Sequence, residues 1–149
     1  MIGLKVDIQP ALAALQRLAQ KVEHIGPALR EIGEDLTEAT KKRFESSKSP
    51  DGDTWAANKP STLAHKPGTR PLVGETGGQA ALSTSIDYQV NGDTLEVGSG
   101  LEYAAMQQFG GTKAQFPNLW GDIPARPYLG LSAEDAQAIG QTVADYLSS

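Results

Sequence analysis

The sequence predicts an α+β domain, and three features carry that reading. Apolar residues at helical spacing run through the first third of the chain, an Asn-Gly pair separates two short alternating segments near the middle, and a second helical stripe closes the chain. At 149 residues there is room for one domain, 1–149, with a core that needs neither a disulfide nor a structural metal.

Ile2, Leu4, Val6 and Ile8 alternate at period two, which predicts a short strand with one buried face. Pro10 ends it and suits the first turn of a helix. Leu15, Leu18, Val22, Ile25, Leu29, Ile32, Leu36 and Ala39 then follow at steps of three and four. The stripe runs through Gly26-Pro27 without losing register. One long kinked helix, two nearly collinear helices, or a hairpin folded at that pair all fit the spacing. A continuous helix from Pro10 to Ser46 would span roughly 55 Å, whereas a compact domain of this size is about 40 Å across. Such a helix overhangs its own domain, and covering its stripe calls for a neighbouring copy.

From about 47 to 81 the large apolar residues thin to Trp55, Leu63, Leu72 and Val73 among nine Pro and Gly breaks. Such a stretch reads as an arm that is flexible alone or ordered by a partner. Ser85–Val90 and Thr94–Gly98 flank Asn91-Gly92-Asp93, a hairpin signal that predicts a small antiparallel sheet. Tyr103–Phe109 resembles a short helix stopped by Gly110-Gly111. Two prolines hold Ile123–Tyr128 extended. Ser132 followed by Glu134 and Asp135 marks a helix start, and Ala136, Ile139, Val143 and Leu147 give that last helix its apolar face.

Little in the chain suggests a reaction centre. No cysteine is present, so thiolate metal sites, disulfides and a cysteine nucleophile are excluded, and a reducing cytoplasm suits the composition. His24 and His65 stand in no metal-ligand spacing. Glu34-Asp35 and Glu134-Asp135 are helix neighbours whose side chains diverge. Ser99 lacks the GxSxG surround, and the glycines form neither GxGxxG nor a P-loop. No catalytic, cofactor or metal residue is assigned. The opening MIGLKVDIQP lacks the order of a secretory signal, and no run of 18 apolar residues appears, so a soluble, non-exported chain without a membrane partner is expected.

The net charge of -5 is unevenly spread. Residues 1–71 hold 11 Lys and Arg against 9 Asp and Glu, whereas residues 72–149 hold 2 against 9. The acidic half argues against wrapping DNA and fits a surface past which DNA slides without sticking. A second reading, a nucleic-acid-binding accessory protein, would draw on Lys41, Lys42, Arg43, Lys48, Lys59, Lys66 and Arg70.

Three segments in series resemble the phage virion morphogenesis or tail completion family of Mu-like and related contractile-tailed phages. They are FESSKSPDGDTW (Phe44–Trp55), VGSGLEYAAMQQFGG (Val97–Gly111) and IPARPYLGLS (Ile123–Ser132). The chain departs from the family pattern at Gln107, where a histidine often stands, and at Thr76-Gly77, which is separated from Leu82 by four residues. The resemblance implies a non-catalytic role in the neck or tail of a virion assembled in the host cytoplasm. It further implies a homo-oligomeric ring that meets other neck and tail proteins, with DNA passing through its channel. Arg126, clamped before Pro127, would present its planar fork to a carboxylate of an adjacent subunit. Motif match and chemistry together make Phe44, Trp55, Tyr103, Gln108, Phe109, Arg126 and Tyr128 the candidate subunit-interface residues.

Overall fold

The computed structural model describes residues 3–5, 7–59, 82–119 and 121–149. Helices α1 (Gln9–Glu23) and α2 (Gly26–Ser46) come first. A 3-10 turn (Leu82–Ser85), strands β1 (Asp87–Asn91) and β2 (Thr94–Gly98), the short helix α3 (Ala104–Phe109) and the closing helix α4 (Ala133–Ser148) follow. This is the α+β architecture the patterning predicts.

The long stripe is divided at His24-Ile25. Pro27 lies in the first turn of α2, where its missing N–H leaves the Glu23 carbonyl without the bond that would continue the helix. α1 does not return along α2, so the hairpin alternative is excluded; it packs instead on the end of α4. There Lys21 Nζ donates to the Tyr146 carbonyl at 3.1 Å and to Ser149 Oγ at 3.0 Å, and the Tyr146 hydroxyl donates to the His24 carbonyl.

The strand expected from the Ile2–Ile8 alternation is not formed at the described positions 3–5 and 7–8, and Leu4 is 90% exposed. A strand needs a partner for its backbone, and among the described residues the sheet consists of β1 and β2.

Both faces of α2 are used. On one, the β1–β2 hairpin is laid so close that a methyl at Gly33 would come within 2.4 Å of the Tyr88 ring and 2.9 Å of Leu95. A glycine inside a helix costs conformational entropy, and here it makes room for an aromatic ring on the helix backbone. Tyr88 pairs with Val97 and Val90 with Leu95, while Asp87, Gln89 and Glu96 point outward. The two-residue loop is Gly92-Asp93, with positive φ only at Gly92, so the turn places its left-handed residue first. On the other face α4 runs antiparallel to α2, setting Ala138, Ile139 and Thr142 against Ile32, Asp35 and Leu36. Its start is the expected one: Ser132 and Asp135 form a reciprocal capping box.

Candidate assembly surfaces

The core joins the three motif segments to each other. Phe44, Trp55, Leu82, Ile86, Ala104 and Tyr128 form one buried cluster. The Phe44 ring meets Trp55 edge-on at 5.5 Å and Tyr128 at 5.4 Å between centroids. After α2, Ser47 takes a left-handed backbone and the chain turns through Gly52, bridging Lys48 to Thr54, which returns Trp55 onto Phe44. So residues 47–59 of the expected arm fold back on the chain's own core; the rest, 60–81, lies outside the described residues.

Residues 123–131 form an extended strap held from both sides by side chains that substitute for a neighbouring strand. Gln108 Oε1 accepts from the Tyr128 and Leu129 N–H groups and its Nε2 donates to the Leu129 carbonyl, all at 3.0 Å. Trp55 Nε1 donates to the Pro127 carbonyl at 2.8 Å, and the Tyr128 hydroxyl donates to the Ala104 carbonyl at 2.9 Å. Arg43 Nη1 donates to the carbonyls of Tyr128 at 2.8 Å and Gly130 at 3.2 Å, while its Nη2 pairs with Asp135. Asp135 therefore serves the α4 capping box and this ion pair at once.

Arg126 corrects one expectation. Its fork does not point at a free carboxylate: Nε donates to the Ala56 carbonyl at 2.8 Å and Nη2 to the Ala57 carbonyl at 3.1 Å. The segment after Trp55 runs beside the strap, and its carbonyls meet the guanidinium inside the chain. Burial lowers the pKa of Arg126 from its ordinary value and raises that of Tyr128.

Of the seven candidate interface residues, Phe44, Trp55, Gln108, Arg126 and Tyr128 are therefore brought together within the chain. Tyr103 and Phe109 stand apart at the surface, 44% and 77% exposed. Sequence reasoning missed the Arg43–Asp135 pair and the Gly33–Tyr88 contact; a glycine interrupting a helical stripe was the one visible signal for the second.

Two further surfaces remain. α1 buries none of its residues, and Leu12, Leu15, Leu18 and Val22 are exposed along it. Beside α3 a cleft of about 910 Å³ lies between the strap and the 57–59 segment, walled by Phe109, Leu119, Ile123 and Pro124 with Asn58 and Gln107 among its polar lining. Gly110 has φ +69 and its absent side chain lets the Ile123–Ala125 backbone approach, while Gly111 and Ile123 exchange backbone bonds at 2.9 and 2.7 Å across the cleft floor.

Among the described residues, part of the basic set is engaged within the chain. Arg43 is buried, Lys42 pairs with Glu38 at 3.2 Å and Lys59 donates to the Asp122 carbonyl at 3.2 Å. Lys41 and Lys48 are exposed, and Lys66 and Arg70 lie outside the described residues. Among the described residues no cluster of His, Asp or Glu is arranged to hold a metal ion, and no helix is long and apolar enough to cross a membrane.

Comparison with known proteins gives a consistent picture. Residues 6–148 match the model of the phage virion morphogenesis family. The chain is 33% identical over 147 residues to the Mu-like prophage FluMu G protein 2 of Haemophilus influenzae, covering 98% of this chain and 96% of that one. It is 31% identical over 152 residues to the putative capsid assembly protein G of Escherichia phage Mu, covering 99% and 95%. No solved structure matches.

Proposed function

The chain belongs to the phage virion morphogenesis family, and from that premise we propose that it is a non-enzymatic structural component of the head-to-tail joint, one copy in an oligomeric ring. A role in phage assembly follows from the family; the position in the neck and the ring are our reading. The observation that carries it is α1, a 15-residue helix whose leucines are exposed and none of whose residues is fully buried in its own chain. Monomeric proteins seldom leave so continuous an apolar surface in water. A ring of identical copies built by head-to-tail contacts covers one such surface per copy.

The charge division supports an orientation. The acidic half, residues 72–149, faces the channel, where repulsion keeps passing DNA from adhering, and other neck and tail proteins close the ring above and below. A carboxylate-free or basic lumen in an assembled particle would overturn that orientation. The nucleic-acid-binding alternative is not favoured, because Arg43 is buried and Lys42 and Lys59 already have partners within the chain.

Light scattering of the purified chain tests the ring, and imaging of particle necks tests the position. We expect a discrete oligomer and density for this chain at the joint. A monomer at every concentration, or complete and infectious particles made without the chain, would sink the proposal.

A further inference from the structure

The cleft beside α3 and the N-terminal segment have complementary deficits. In the cleft, Asn58 Nδ2 is buried and donates to no acceptor among the described residues. Buried donors are ordinarily met, so whatever fills the cleft brings an acceptor. A helix has spent its carbonyls internally; an extended segment offers a free one at nearly every residue. Residues 3–5 stand outside any helix or strand, and the apolar residues of the segment alternate at Ile2, Leu4, Val6 and Ile8. Leu4 is 90% exposed, and Gly3, Leu4 and Lys5 make no backbone hydrogen bond among the described residues.

We infer that Gly3, Leu4 and Lys5 of one copy lie extended in this cleft on an adjacent copy. Their carbonyls accept from Asn58 Nδ2, and Leu4 faces the wall of Phe109, Leu119 and Ile123. Lys5, on the opposite face, meets a rim that carries Asp122. α1 is the spacer, about 22 Å long at 1.5 Å per residue, anchored at its far end by Lys21 on α4. The contact is head-to-tail, so it propagates around a ring instead of closing a pair. It rests on the proposal that copies associate, and deepens it by naming the two surfaces that meet.

The absence of cysteine makes a clean test possible. Lys5→Cys and Thr112→Cys, each alone, are mixed in equal amounts and mildly oxidised, alongside the double variant. We expect a disulfide-linked dimer in the mixture, little dimer from either variant alone, and a ladder of multiples from the double variant. Adding Leu4→Asp lowers the cross-link yield on the order of tenfold, the loss typical of removing one anchor side chain, with no change in the thermal midpoint read at a concentration where the chain is monomeric. An intrachain disulfide in the double variant, or dimers formed mainly by Lys5→Cys with itself, overturns the inference. Light scattering of the same samples separates the two proposals: an oligomer without the mixed cross-link overturns only this docking, and a chain that stays monomeric overturns the ring and the docking together.

Discussion

α1 and α2 carry one unbroken apolar stripe, yet they meet opposite fates. α2 buries Ala28, Ile32, Thr40 and Phe44 between the hairpin, α4 and the aromatic core, whereas no residue of α1 is buried. Helical periodicity names a face and is silent on what covers it. The division falls at Pro27: among the described residues the hairpin and the aromatic core lie on the α2 side of it, and α1 meets the end of α4.

If α2 is the half that holds the chain together, its damage is large and local. Arg43→Ala leaves Asp135 uncompensated at a site where the two side chains are only 9% and 12% exposed. Removing one partner of a buried pair costs about 3–5 kcal/mol, and here it also strips the carbonyls of Tyr128 and Gly130 of their donor. Urea denaturation checks this: a midpoint displaced strongly for Arg43→Ala and left in place for Lys42→Ala, whose pairing with Glu38 is at the surface. Equal midpoints for the two variants would show that the strap is not held from α2.

The next effect is smaller and has the opposite physical origin. Gly33→Ala raises helix propensity, but its methyl would sit 2.4 Å from the Tyr88 ring. Overpacking of this kind costs about 1–3 kcal/mol, more than the roughly 0.5–1 kcal/mol that alanine gains over glycine in a helix. The net change is therefore destabilising. Tyr88→Ala removes the clash, so the double variant should recover part of the loss imposed by Gly33→Ala on top of its own, and a strictly additive result would deny the contact.

How much of this was legible follows from the range over which each signal acts. The hairpin, the α4 start and the break at Gly26-Pro27 depend on residues a few positions apart, and the sequence carried each of them. The motif Ile-Pro-Ala-Arg-Pro-Tyr was visible as well, but its direction of use was not. Arg126 reads equally well as a fork for a neighbour or a clamp on Ala56 and Ala57, because those carbonyls are some 70 positions away. Arg43 read as one of a set of cations available to a nucleic acid; that Asp135 completes it depends on α4 running antiparallel to α2. The N-terminal alternation misled for the same reason: period two predicts a strand only where another strand is present.

The smallest expected effect on the folded chain is the one that bears most on assembly. Leu15→Ser with Leu18→Ser alters side chains that are 61% and 40% exposed, and neither touches the strap, the hairpin or the aromatic core. Surface substitutions of this kind move stability by roughly 0.5 kcal/mol or less, so at a concentration low enough for both chains to be monomeric the denaturation midpoint of the variant should overlay that of the parent. Light scattering at higher concentration should separate them: with the seam made polar, each copy loses the surface we propose its neighbour covers, and the oligomer falls toward monomer. A variant that keeps both midpoint and oligomer would mean that α1 is a solvated extension and that copies meet elsewhere. A lowered midpoint in the monomeric variant would mean that Leu15 and Leu18 are packed within the chain after all, and the contrast with α2 would dissolve.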